Sequence, residues 1–331
     1  MDATVVPAFE PHPWFQGGHF QTIAGRYLPG RSVRLPATYH EVPLSDGDRI
    51  SVLDSIPGGW RNGHPGAVLV HGLGGCARAA YVVRLADRLV RLGIRVVRMN
   101  LRGAGAGFGS ARGVYHAGRT GDLRAVVQWL ACQASDSPLA LIGYSLGASL
   151  ALKLAAEAAS EPVAGLDCVL AANPPLDLEA CSRHIHLRQN RIYERSFMRG
   201  VKSSILRHHA AYPETGLPDL VEAGTLLGFD SVYTAPRHGY AGAAEYYAQS
   251  SAGPCLRQIE IEGLIVHAED DPFIPVDSVR AVQVPAQIEF RLVPAGGHLG
   301  YIARDSDDVD RRWLDAQLAG WLTARWKSFS D

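Results

Sequence analysis

Leu139-Ala140-Leu141-Ile142 runs straight into Gly143-Tyr144-Ser145-Leu146-Gly147. From Leu146 to Ala159 apolar residues then recur every three or four positions. The first stretch has the length and apolar character of a buried strand, and the last has the period of a helix. Only three residues separate the two regimes, so the chain must turn sharply at Ser145. Small residues at 143 and 147 are what such a turn needs. A serine placed on it stands clear of the sheet with a helix N-terminus behind it, where developing negative charge is stabilised. The spacing alone is a weak signal, but the strand before it and the helix after it make it specific.

Working outward, the same alternation continues. Ala67–Val70, Ile94–Met99, Cys168–Ala172, Leu264–His267 and Ile288–Val293 read as strands, and Tyr81–Leu92 and Asp122–Ala134 as amphipathic helices between them. This rhythm predicts an α/β fold: a mostly parallel central sheet with helices on both faces. Before it, Tyr39–Leu44 and Ile50–Ile56 flank the turn Ser45-Asp46-Gly47-Asp48 and read as an antiparallel hairpin. The rhythm breaks between residues 176 and 257, a helix-like stretch rich in His, Arg and Tyr. That stretch is expected to be a cap inserted into one domain spanning 1–331, with residues 1–35 packing on the core.

Composition narrows the class. The chain has 331 residues, 47% apolar and 20% charged, with 32 Lys+Arg against 33 Asp+Glu. Such a chain buries a large core and is neither disordered nor fibrous. A net charge of −1 provides no basic field for nucleic acid. Cys76, Cys132, Cys168, Cys181 and Cys255 are scattered without a CxxC pair, which suits reduced thiols in a cytoplasm. No run approaches the ~20 apolar residues of a membrane span, and Met1–Pro7 lacks the basic start and apolar stretch of a signal peptide. The expected protein is soluble and cytoplasmic, without stable membrane insertion; its oligomeric state is left open.

A serine hydroxyl needs a base, and in this kind of fold the partners follow in the order Ser, acid, His. His298 lies in Gly296-Gly297-His298-Leu299, the glycine-rich turn after the last strand. The acid lies in Glu269-Asp270-Asp271-Pro272-Phe273-Ile274-Pro275. Asp271 is favoured, since Pro272 fixes the backbone that aims it; Asp270 is the alternative. Two backbone N–H donors must meet the oxyanion, and Leu146 and Leu73 of His71-Gly72-Leu73-Gly74-Gly75 are the candidates. His71, Gly72 and Tyr144 flank these groups and are candidate substrate contacts. Neither glycine run gives GxGxxG, which argues against a dinucleotide site.

With those residues placed, the sequence resembles the α/β-hydrolase superfamily, and within it the YheT-like branch. The branch resemblance is carried by Pro13-Trp14-Phe15-Gln16-Gly17-Gly18-His19-Phe20-Gln21-Thr22, by His71–Gly75 followed by Tyr81, and by Asn100-Leu101-Arg102-Gly103. Tyr115-His116-Ala117-Gly118 with Asp122, and Phe229-Asp230 through Thr234-Ala235-Pro236 to Tyr246-Tyr247 and Ser250, extend it. It implies hydrolysis of a small-molecule carboxylic ester, short- to medium-chain acyl groups favoured, by Ser145, Asp271 and His298 with no metal or organic cofactor. The HxxxxD motif of some relatives is absent, since His116 and Asp122 stand six positions apart. A thioesterase, acyltransferase or peptidase using the same serine, and a non-catalytic ligand-binding protein, remain as other readings.

Three further groups have structural readings. His19, Gln21 and Thr22 are expected to anchor the N-terminal segment, and Arg102 to brace a loop. Arg188, Arg191, Arg195, Arg199 and Lys202 step by three and four, a basic helical face opposite Ile185, Ile192, Phe197, Val201 and Ile205. That face reads as solvated, with contact to anionic lipid as its other reading. His184, His186, His208 and His209 lack the partners of a metal site.

Overall fold

The hairpin forms β1 (Thr38–Pro43) and β2 (Arg49–Ser55), paired antiparallel. The six later strands are β3 (Gly66–Val70), β4 (Arg95–Met99), β5 (Leu139–Tyr144), β6 (Leu166–Ala172), β7 (Glu262–Ala268) and β8 (Ile288–Val293). They make one sheet in the order β1-β2-β4-β3-β5-β6-β7-β8, parallel from β4 onward. The computed structural model describes residues 8–28, 30, 33–217, 219, 222–305 and 311–327. Met1–Pro7, read above for a signal peptide, lies outside them.

The central strands are apolar on both faces because both faces are covered. Val68, Val70, Leu141, Val169 and Ile265 point into one core. They meet Leu123, Val126 and Leu130 of α3 (Thr120–Gln133) and Leu150 and Leu154 of α4 (Leu146–Glu157). Their sequence neighbours Ala67, Leu69, Ile142, Leu170 and Val266 point the other way. Those meet Val82, Leu85 and Leu89 of α2 (Ala80–Arg91) and Leu314, Leu318 and Leu322 of α8 (Trp313–Arg325). Leu85 is fully buried, so Leu85→Ala is expected to cost about 2–5 kcal/mol.

Helix α1 (Gly18–Tyr27) precedes the hairpin. Between β6 and β7 the chain is helical: α5 (Leu178–Ile185), α6 (Arg191–Ala211) and α7 (Ala243–Ser250), with shorter turns between them. Met198, Ile205, Phe229 and Tyr233 form a small core of their own. A second set, Ala117, Ala235, Tyr246 and Tyr247, joins this stretch to the loop before α3, where the Ala117 amide donates to the Tyr246 hydroxyl (3.0 Å). One expectation for α6 is corrected. Ile185 and Ile205 are buried, but Ile192 is 72% exposed, because the inward positions of the first turns belong to Glu194 and Met198.

Arg102 braces a loop. Its guanidinium meets Asp122 on α3 (2.7 and 2.8 Å) and both Asp46 (2.7 Å) and Asp48 (2.6 Å) in the β1–β2 turn. The loop after β4 is thereby tied to two elements at once.

Candidate active site

Ser145 sits between β5 and α4 with φ 52° and ψ −122°, a conformation few non-glycine residues adopt. The strain holds because the flanks cannot relax. A Cβ at Gly143 would lie 2.2 Å from the Gly147 carbonyl oxygen, and one at Gly147 would lie 2.5 Å from that of His71. Helix α4 therefore passes β5 and the end of β3 at distances only glycine permits, and the serine side chain is turned outward.

His298 Nε2 lies 2.9 Å from Ser145 Oγ, and His298 Nδ1 lies 2.7 Å from Asp271 Oδ2. With Nδ1–H donating to the carboxylate, Nε2 is left to accept from the hydroxyl. Asp271 is buried, and burial by itself would push its carboxyl up. The charge and hydrogen bond of His298, with the Phe273 amide, outweigh this and hold the carboxyl below its ordinary value. Its Oδ1 accepts from the amides of Phe273 (2.8 Å) and Ile274 (3.2 Å). The neighbouring acid does something else. Asp270 Oδ1 accepts from the Gly297 amide (2.8 Å), and burial raises its carboxyl above the ordinary value. Of the two acids the sequence left open, Asp271 meets the imidazole and Asp270 holds the loop.

Two groups at the site carry no role in the sequence reading. Asn173, one residue past β6 at φ 47°, donates from Nδ2 to Asp271 Oδ2 (2.6 Å) and to the Gly297 carbonyl (3.2 Å). Its own Oδ1 accepts from the Tyr301 hydroxyl (2.7 Å). Asparagine tolerates positive φ, so its place between a strand and Pro174-Pro175 was the available signal. The second is the Phe273 ring, 4.4 Å from the imidazole centroid, with Tyr193 of α6 packed edge-on behind it at 4.9 Å.

The anchoring expected of the N-terminal segment reaches the site itself. Thr22 Oγ1 accepts from the His298 amide (2.8 Å) and donates to the Gly18 carbonyl (2.6 Å). Gln21 is fully buried and bridges Phe15, Ile302 and its amide. His19 instead stacks on Tyr193.

On the β3 side, the Gly72 amide donates to the Tyr81 hydroxyl (3.1 Å), that of Gly74 to Tyr115 (3.1 Å) and that of Gly75 to the Gly72 carbonyl (3.0 Å). Among the described residues no such bond occupies the amides of Leu73 and Leu146. A Cβ at Gly72 would touch Ser145 Cβ at 3.0 Å, so this backbone stands against the serine. The side chains of His71 and Tyr144 are fully buried, which corrects the expectation that they face substrate. His71 Nε2 accepts from the Leu101 amide and its Nδ1 donates to the Gly72 carbonyl, with burial taking the imidazole down to about 4. Tyr144 packs edge-on against Tyr81 at 4.7 Å. Both are supports beneath the site.

His267, near the end of β7, is likewise fully buried, and neither of its ring nitrogens has a partner among the described residues. Burial takes it down to about 4, against the pull of Asp271, so it is neutral at pH 7. A separate cleft of about 520 Å³, lined by Asp46, Asp48, Arg102, Arg112, Arg119 and Glu214, contains none of the three aligned residues.

A serine on a strained strand-to-helix turn, followed in the chain by an acid and a histidine at the same sheet edge, defines a class of hydrolytic enzyme. The alpha/beta hydrolase fold family matches residues 68–305, and the chain belongs to that family. It is 34% identical over 320 residues to YheT of Escherichia coli (strain K12), an esterase by name, covering 95% of this chain and 93% of that one. It is 25% identical to a monoacylglycerol lipase of Saccharomyces cerevisiae, covering 78% of this chain and 59% of that one. A solved Pyrococcus furiosus esterase, Pf2001, shares the fold with a TM-score of 0.58 at 17% identity, covering 90% of this chain and 95% of that one. Among the described residues no helix is long and apolar enough to cross a membrane.

Proposed function

We propose that the protein is a carboxylesterase in which Ser145 is the nucleophile, His298 its base and Asp271 the orienting acid. The observation that carries this reading is the unbroken line Asp271–His298–Ser145, at 2.7 and 2.9 Å, on a turn strained enough to hold the hydroxyl outward. Ser145 Oγ attacks the ester carbonyl as His298 Nε2 takes its proton. The amides of Leu73 and Leu146 receive the oxyanion; among the described residues neither is taken by another hydrogen bond. The imidazolium, stabilised by Asp271, gives its proton to the departing alcohol. Water then enters, the same imidazole activates it, and the acyl group leaves as the acid.

The helical stretch at 176–257 serves as a cap over the sheet edge, and small-molecule esters with short- to medium-chain acyl groups are the substrates. Similarity to YheT over nearly the whole of both chains supports the ester class. The experiment is hydrolysis of p-nitrophenyl esters from acetyl to palmitoyl by wild type and Ser145→Ala. Serine-dependent turnover peaking at one chain length is expected. Turnover that survives in Ser145→Ala, or no turnover by folded wild type at any length, would overturn the reading.

A further inference from the structure

Helix α1 is built inside out. Its core-facing side is Gly18, Gln21, Thr22 and Ala24, with Gln21 at 0% exposure. Its outward side is Phe20, Ile23 and Tyr27, 64%, 45% and 68% exposed, spaced by three and four on one stripe. Trp14, 82% exposed, stands just before the helix and Leu28, 45% exposed, just after it. A surface helix ordinarily turns its apolar stripe to the core. Here the polar residues go inward because they hold the His298 loop, and the large apolar residues are left in water.

The patch continues onto the cap. His19 of α1 stacks on Tyr193 of α6, with ring centroids 5.6 Å apart and planes 4° apart, and its Nδ1 lies 3.0 Å from the Tyr193 hydroxyl. Beside Tyr193, Ile192 is 72% exposed, and Leu187 just upstream is 46% exposed. The charge around this apolar surface has one dominant sign. Arg26, Arg188, Arg191 and Arg195 are exposed, and among the described residues none is held in an ion pair. The one acid in this part of α6, Glu194, is turned inward, where it binds His186 and the Leu226 amide. Glu10, exposed upstream of α1, pairs with Arg304.

We infer that the outer face of α1, with the adjoining N-terminal end of α6, is a docking surface for an anionic phospholipid bilayer. Tryptophan, tyrosine and phenylalanine with an arginine fringe match the headgroup boundary: rings enter the acyl margin while guanidinium groups meet lipid phosphate. The arginines select this occupant, since a neutral apolar partner would leave them uncompensated and an anionic surface pairs with them. Docking is peripheral, by insertion of side chains from a ten-residue helix whose inward Thr22 holds the His298 amide. The inference stands apart from the esterase reading, because its readout is lipid binding and Ser145→Ala protein serves as well as wild type.

The test is sedimentation of the full chain with vesicles of phosphatidylcholine alone and of phosphatidylcholine mixed equally with phosphatidylglycerol. Binding to the mixed vesicles is expected at low salt, weakened on raising salt. The triple variant Phe20→Ser, Ile23→Ser, Tyr27→Ser should lose at least about tenfold in partitioning. A second triple variant, Arg188→Gln, Arg191→Gln, Arg195→Gln, should lose the preference for phosphatidylglycerol. An unchanged thermal midpoint identifies folded variants, and if the α1 triple fails to fold, the arginine variant and the salt series decide. Equal binding to both vesicle types, no binding to either, or full binding by both variants overturns the inference. So does a wild-type dimer that the α1 triple variant dissolves, since the occupant would then be a second copy.

Discussion

The turn that carries Ser145 and the loop that carries His298 meet at 2.9 Å on the same edge of one sheet, yet they are held by opposite means. The serine turn is fixed by residues within two positions of it: Gly143 and Gly147 let β5, α4 and β3 close to distances no side chain allows. The histidine loop is fixed from far away. Thr22 reaches its backbone from 276 positions upstream, Asn173 from 124 and Asp270 from 27. A motif can encode the first kind of geometry, because the glycines that permit it are adjacent to the serine in the chain. Only the finished fold encodes the second, so its residues look ordinary until they are assembled.

The largest test of this contrast sets the two adjacent acids against each other. Asp271→Asn should lower kcat by about 10⁴-fold with little change in KM, since the amide no longer stabilises the imidazolium or fixes its tautomer. Asp270→Asn keeps an acceptor for the Gly297 amide and should cost about tenfold or less. Equal losses would erase the distinction between the imidazole partner and the loop holder.

Gly147→Ala probes the local half. With a Cβ 2.5 Å from the His71 carbonyl oxygen, backbone has to move, and a loss of about 3 kcal/mol in chemical denaturation is expected. A variant as stable as wild type would show that the turn has slack the geometry denies it.

The acid half carries a proton-linked cost. His267 binds a proton at about 6.5 in the unfolded chain and only near 4 in the fold, so stability falls as pH drops from about 6.5 toward 4. At pH 5 this one residue should cost about 2 kcal/mol relative to pH 8. His267→Leu, which leaves no ring nitrogen unpaired, should reduce the slope of the melting temperature against pH, while His71 and His116, also lowered by burial, keep part of it. An unchanged slope would mean that His267 finds a partner at low pH.

The smallest effect is expected at Thr22→Val. It keeps the shape but leaves the His298 amide unpaired, a loss of about 1 kcal/mol that should appear as a several-fold drop in kcat at constant KM. A change confined to thermal stability would restrict α1 to anchoring.

Strands and helices near the serine were legible because their periods are undiluted; β8 has the predicted bounds Ile288–Val293, and most other elements shift by a residue or two. The period does not mark helices α1 and α8 in the sequence. In α1 the period is present but inverted, and in α8 apolar residues lie on too many sides to mark one face. At the site, GxSxG and the glycine turn at His298 announce themselves, whereas Asn173 is a single asparagine before two prolines whose partners lie in other elements. His71 and Tyr144 misled for a related reason: adjacency in the chain suggests a common role, but Tyr144 belongs to a strand and points away from the turn that follows it.

The 276-position reach from Thr22 to His298 also sets an order in time. During synthesis the serine turn emerges with its neighbours while much of the chain that follows is still to be made. The helix that will steady the histidine is made earlier still and must wait, its inward Gln21 and Thr22 without their partners, until His298 and Ile302 are made. A nascent chain paused before Gly296 holds Ser145 but not yet His298. With His298 as the proposed base, the serine has no base until residue 298 is made, a consequence of chain order alone.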